Sequence, residues 1–142
     1  VVLQVRALPR PGADPAVVVY RRDRMDECSM GAATMVGELK NGEISEYEIH
    51  PEDFGLPMQS NRAIKVETPE QSLAMLKSVL VNQDGPAKNI VILNAGVTLY
   101  AAGVASTIKA GIDRAREAIE TGAAQAKLDQ VLAFTQSLAK AA

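Results

Sequence analysis

DPAVVVYRRDRMDECS, Asp14 to Ser29, is the stretch on which the reading of this chain turns. Ala16 to Tyr20 is short, rich in β-branched residues and apolar without interruption, the pattern of a strand buried on both faces of a parallel sheet. It stops at Arg21, and charge follows almost without a break to the adjacent carboxylates Asp26 and Glu27. In an open α/β sheet, loops leaving the carboxyl ends of strands line the ligand crevice, so a charged loop directly after a buried strand is the place to look for a site. Two neighbouring carboxylates there suit a hard divalent cation held through oxygen. The competing reading is a solvated surface loop in which Asp23, Asp26 and Glu27 pair with Arg21, Arg22 and Arg24, and residue chemistry alone favours it.

Outward from this stretch the chain divides into a strand-rich first half and a helical second half. Val1 to Leu8 is ambiguous between a strand and a helix end, and Pro9 to Pro15 reads as a turn segment. Ala33 to Leu39 is a second strand and Glu43 to Ile49 a third, joined through Lys40, Asn41 and Gly42, because Asn-Gly tolerates the positive φ angles of a type I′ hairpin turn. His50 to Leu56 is a loop. Thr68, Pro69 and Gln71 predict an N-cap, a first-turn proline and a capping box, followed by a buried stripe of Leu73, Leu76 and Leu80. Asp84, Gly85 and Pro86 break that helix. Asn89 to Val104 is apolar nearly all round and predicts the most buried helix, with Ala95, Gly96, Ala101, Ala102 and Gly103 small enough to admit another backbone. Ser106 is expected to cap a helix striped by Ile108, Ile112, Ala115 and Ile119, and Ala123 to Leu138 forms a last amphipathic helix after Thr121 and Gly122. The fold class expected is therefore α/β: a partial, mostly parallel sheet with a β-hairpin, followed by an all-helical C-terminal half.

Composition bounds the function. With 142 residues, 47% of them hydrophobic, the chain can build one core. Lys plus Arg number 15 against 17 Asp plus Glu, a balance that disfavours nucleic acid and membrane surfaces as partners. One cysteine, Cys28, excludes an internal disulfide and a multi-cysteine zinc site. No apolar run spans a bilayer and no signal-peptide pattern opens the chain, so a cytoplasmic location is expected. The start at Val1 in place of Met, inside what reads as a continuing element, suggests a piece of a longer protein. The lone histidine, His50, is expected at the surface. Cys28, beside two carboxylates, is expected to hold its proton, and Asn94 and Tyr100 are expected to make structural hydrogen bonds within their apolar helix. GxGxxG, Walker A, GxSxG and HExxH motifs are all missing from the sequence.

Four segments in order carry a resemblance: Asp26-Glu27 after a strand, PEDFGL at Pro51 to Leu56, LNAGVTLYAAG at Leu93 to Gly103, and ETGAAQAKLDQV at Glu120 to Val131. Together they resemble the C-terminal part of the α/β domain of the anthranilate phosphoribosyltransferase family. The resemblance implies a mostly parallel sheet in an α/β domain preceded by a small helical domain, usually in a homodimer. It also implies transfer of the phosphoribosyl group from phosphoribosyl pyrophosphate to anthranilate in tryptophan biosynthesis, with Mg2+ held by Asp26 and Glu27. This chain departs from the family at Tyr20 and Arg21, where a His-Gly pair is usual, and at Arg24, where glycine is. The family's glycine-rich phosphate loop, its Lys-His-Gly segment and its helical domain belong upstream of Val1, so the 142 residues taken alone are expected to have no transferase activity. The alternative carried beside this is a non-catalytic relative whose Arg6, Arg10, Arg21, Arg22 and Arg24 bind an anionic polymer such as nucleic acid. A third is a truncated chain that covers its apolar surface by self-association.

Overall fold

The computed structural model describes residues 16–21 and 26–141. The segments read as Val1 to Leu8 and Pro9 to Pro15 lie outside these, as do Arg22, Asp23 and Arg24. Strands β1 (Ala16–Tyr20), β2 (Thr34–Lys40) and β3 (Glu43–Ile49) form a sheet in the order β1-β2-β3. Both pairings are antiparallel, with Tyr20 opposite Met35 and Lys40 opposite Glu43. The mostly parallel sheet expected from the sequence is therefore corrected among the described residues. A parallel pair needs a long crossover, usually helical, whereas the described part of the 21–33 connection holds no helix and returns the chain alongside the strand it left.

Burial redistributes the roles of the strands. Ala16 to Val19 are only half-buried and Tyr20 is exposed, so β1 is not the strand covered on both faces. That strand is β2, buried continuously from Val36 to Leu39, while β3 is mostly exposed. Consecutive valines mark an extended chain but do not say on which side neighbours will lie; that is decided by packing. The β2–β3 hairpin turns as Asn-Gly predicts, with φ of 54° at Asn41 and 80° at Gly42.

Four helices follow: α1 (Pro69–Leu80), α2 (Pro86–Ala101), α3 (Ile108–Glu120) and α4 (Ala123–Ala141). Thr68 caps α1, its hydroxyl accepting from the Gln71 N–H (3.3 Å), and the Gln71 side chain reaches back to the Glu67 N–H (2.8 Å), one residue earlier than a capping box requires. The cap of α3 is Thr107, not Ser106, its hydroxyl accepting from the Ala110 N–H. The predicted α3 stripe is buried in full, Ile108, Ile112, Ala115 and Ile119, joined by Gly111. Helix α2 buries Ile92, Leu93, Gly96 and Val97, so it shares the centre of the core with α3. The α1 stripe is a correction: Leu73 and Leu76 are exposed and Val79 is the residue buried, with Leu76 lining an open groove. On α4, residues 129–139 are exposed throughout.

Helices α2 and α3 pack with the sheet around Met30, Val36, Ile49, Ile92, Leu93 and Ile112, with Val17, Val19 and Tyr47 against the cluster. Fully burying a side chain such as Ile92 or Ile112 contributes roughly 1.5 to 3 kcal/mol. The approach of α2 to α3 is set by glycines. A Cβ on Gly96 would lie 2.6 Å from the Ile112 nitrogen and 2.8 Å from its Cα, and a Cβ on Gly111 would run into the Gly96 carbonyl oxygen. Gly96 is one of the small residues expected to admit a neighbouring backbone.

Candidate functional site

The loop from Arg21 to Ala33 leaves β1 at its carboxyl end and returns at the first residue of β2. Its composition dictates its path. Asp26 and Glu27 stay in solvent, while Cys28, Ser29 and Met30, next in the chain, are 1%, 0% and 2% exposed. Two exposed carboxylates are thus followed directly by residues driven into the core.

Hydrogen bonds hold that path. The Asn94 side chain on α2 accepts from the Cys28 N–H through Oδ1 (2.8 Å) and donates through Nδ2 to the Cys28 carbonyl (2.9 Å) and to the Ile90 carbonyl (2.9 Å). The Ser29 N–H donates to the Thr34 hydroxyl (3.3 Å), which brings the loop beside the start of β2. The Gly31 N–H donates to the Ser29 hydroxyl, the Asn61 amide meets that hydroxyl at 3.2 Å, and the Gln59 N–H donates to the Met30 carbonyl (2.7 Å). The expectation that Asn94 makes structural hydrogen bonds is met; that its partner is the loop carrying the doublet was not read from the sequence, since nothing in a helical pattern names a distant backbone partner.

Cys28 keeps its proton as expected, for a different main reason. Burial pushes the thiol up to about 11, with the Glu27 charge adding to the shift and Arg21 opposing it. Arg21 is itself 3% exposed, and burial lowers its pKa. A buried Arg21 is not placed to meet a polymer's phosphates.

A second polar cluster lies along β2. Glu38, 8% exposed, accepts from the Tyr47 hydroxyl (3.0 Å) and from the Tyr100 hydroxyl. Lys40 donates to Tyr100 (3.0 Å) and lies 4.8 Å from its ring centroid. This network ties the C-terminal end of α2 to the sheet and leaves both Glu38 oxygens occupied. His50 is exposed, 3.2 Å from Glu48, as expected of a surface residue, and its N–H donates to Asp53 at the start of the short 3-10 turn Pro51–Phe54. An apolar groove of about 460 Å3 lies between α1, α2 and α4, lined by Met75, Leu76, Leu80, Ile90, Val91 and Leu128 among others, and none of its lining residues belongs to the doublet loop.

Among the described residues no three His, Cys, Asp or Glu side chains gather as a metal site, and the described part of the doublet segment offers a cation the two adjacent carboxylates Asp26 and Glu27. That donor set fits magnesium, which keeps several waters and takes one or two carboxylates plus phosphate oxygens, and does not fit a metal needing a full protein cage.

The family model described as glycosyl transferase family, a/b domain, matches residues 5–125. The chain belongs to this family. Among curated relatives, the anthranilate phosphoribosyltransferase of Paracidovorax citrulli is 68% identical over 137 residues, 96% of this chain and 40% of the relative, and that of Albidiferax ferrireducens is 66% identical over 140 residues, 99% of this chain and 40% of the relative. The chain thus spans about 40% of the length of the curated relatives it matches. Of the solved family structures, the anthranilate phosphoribosyltransferase of Thermus thermophilus superposes with a TM-score of 0.77 at 32% identity, over 86% of this chain and 36% of that one. The enzyme of Saccharomyces cerevisiae in complex with phosphoribosyl pyrophosphate and Mg shares the fold at a TM-score of 0.73 and 22% identity, over 84% of this chain and 34% of that one. No described helix is long and apolar enough to cross a membrane.

Proposed function

We propose that this chain forms one wall of the active site of an anthranilate phosphoribosyltransferase, as the C-terminal portion of its α/β domain, and supplies Asp26 and Glu27 to Mg2+. The observation that carries the reading is the doublet itself: two exposed neighbouring carboxylates in the segment between β1 and β2, followed at once by a buried, hydrogen-bonded Cys28. The anthranilate phosphoribosyltransferase names of the similar proteins, and the phosphoribosyl pyrophosphate and Mg in the yeast complex, give the substrates of the reading. Asp26 and Glu27 would offer oxygens to the ion and leave its remaining positions to water and diphosphate oxygens. Bound there, magnesium would neutralise the charge that builds on pyrophosphate as it leaves. The chain's own contribution is to present the carboxylates at a fixed place.

The rest of the active site, the glycine-rich loop and the helical domain, would come from the remaining length of the parent protein. The isolated chain is therefore inactive in this reading. Exposed Leu73, Leu76, Val131, Leu132, Phe134 and Leu138 support a homo-oligomer or a larger parent, and a cytoplasmic location accords with biosynthetic chemistry.

A chimera tests the assignment. Replacing the matching region of the Paracidovorax citrulli relative with this chain is expected to yield an enzyme that consumes anthranilate, followed by loss of its fluorescence, only when phosphoribosyl pyrophosphate and magnesium are present. In that chimera Asp26→Ala should lower kcat/KM by at least roughly 10- to 100-fold, the cost typical of losing even a residue that only supports a metal ligand. A folded chimera without turnover, or one indifferent to Asp26→Ala, contradicts the proposal.

A further inference from the structure

Asn94 interrupts an otherwise apolar stretch of α2, between buried Ile92 and Leu93 on one side and Gly96 and Val97 on the other. An amide in that position costs free energy to desolvate unless its groups are bonded. Here both ends are used. Oδ1 accepts from the Cys28 N–H and Nδ2 donates to the Cys28 carbonyl, so one side chain grips both polar groups of a single backbone residue 66 positions away in sequence. The additional bond from Nδ2 to the Ile90 carbonyl fixes which end of the amide is which, because a flipped Asn94 would turn its oxygen toward two carbonyls.

The grip falls at an informative place. Downstream of Cys28, the loop has several other anchors, through Thr34, Asn61 and Gln59. Upstream stand Glu27 and Asp26, both exposed. Consecutive Cα atoms are about 3.8 Å apart, so fixing Cys28 confines Glu27 directly and Asp26 at one remove. Magnesium demands near-ideal octahedral geometry, which makes its affinity sensitive to where such oxygens are held.

We infer that Asn94 is a positioning residue for the acidic pair: by clamping the Cys28 backbone to α2, it sets where Asp26 and Glu27 present their oxygens. The inference rests on the proposed role of that pair in holding a divalent cation.

The test uses the full 142-residue chain, with Mn2+ as a paramagnetic probe and amide NMR as the readout. In the wild type, Mn2+ should broaden the Asp26, Glu27 and Cys28 amides saturably. In Asn94→Ala, the Mn2+ concentration for half-broadening should rise on the order of tenfold, and hydrogen exchange at the Cys28 amide should accelerate by roughly fivefold or more. Ile92→Val, which trims the buried face of the same helix, should lower Tm and leave both readouts unchanged. An Asn94→Ala profile matching the wild type, in a background where Asp26→Ala abolishes broadening, overturns the role of Asn94 and leaves the metal reading standing. No broadening at the doublet in the wild type overturns both. Should Asn94→Ala fail to fold, Asn94→Ser is read in its place; failure of both, with Ile92→Val folded, makes Asn94 purely structural and also overturns the inference.

Discussion

Cys28 shows how far neighbours in sequence can mislead about environment. It stands directly after two carboxylates, yet it is 1% exposed, and burial outweighs the Glu27 charge in raising its pKa to about 11 from an ordinary 9.0. The sign of the consequence follows from proton counting. Between about pH 9 and pH 11 the unfolded chain releases the Cys28 proton and the native chain keeps it, so the native state binds more protons and stability falls as pH rises through that window. Below it the contribution is complete. Tyr47, whose pKa is also raised by burial and by its bond to Glu38, adds a similar loss at the alkaline end. Denaturant midpoints measured from pH 8 to 11 should decline less steeply for Cys28→Ala than for the wild type, and the native wild-type thiol should resist alkylation at pH 8 that the unfolded chain undergoes readily. Equal slopes and rapid native alkylation would place Cys28 in solvent.

At the level of elements, the contact between α2 and α3 is the least forgiving part of the fold. The atoms that meet a Cβ at Gly96 include the Ile112 backbone nitrogen and Cα, and those that meet one at Gly111 are the Gly96 backbone. Backbone cannot turn aside as a flexible side-chain end can, so Gly96→Ala and Gly111→Ala should each cost about 3 kcal/mol or more, read from chemical denaturation. A cost below about 1 kcal/mol, smaller than typical overpacking, would mean that the helices are farther apart. Much of this architecture was legible in the sequence. The α3 stripe at Ile108, Ile112, Ala115 and Ile119 is a local period, Asn41-Gly42 is a local turn, and Gly96 is visibly small. Strand direction was not legible, because β1 pairs with β2 across a loop whose residues carry no crossover signal either way. The exposure of Leu73 and Leu76 was also hidden: apolar spacing on α1 gives a face but not its partner. The adjacency of Asp26 and Glu27 is read directly from the sequence, whereas the bonds of Asn94 to Cys28 and the Glu38 contacts to Tyr47 and Tyr100 join distant segments that only the fold brings together.

At the scale of the whole molecule, the chain spans about 40% of the length of the curated relatives it matches. The apolar groove between α1, α2 and α4 and the exposed side chains of α4 lie on elements that do not carry the doublet. The proposed cation binding can therefore be tested on these 142 residues by themselves. In the proposed function, Asp26 and Glu27 share a divalent ion with a diphosphate. The most direct measurement is amide NMR of this chain titrated with Mg2+ and pyrophosphate, separately and together. The account predicts that the Asp26, Glu27 and Cys28 amides shift saturably when both are present, more than with either alone, and that Asp26→Ala removes the response. Shifts confined to other parts of the chain, or a response that survives Asp26→Ala and Glu27→Ala, would contradict it.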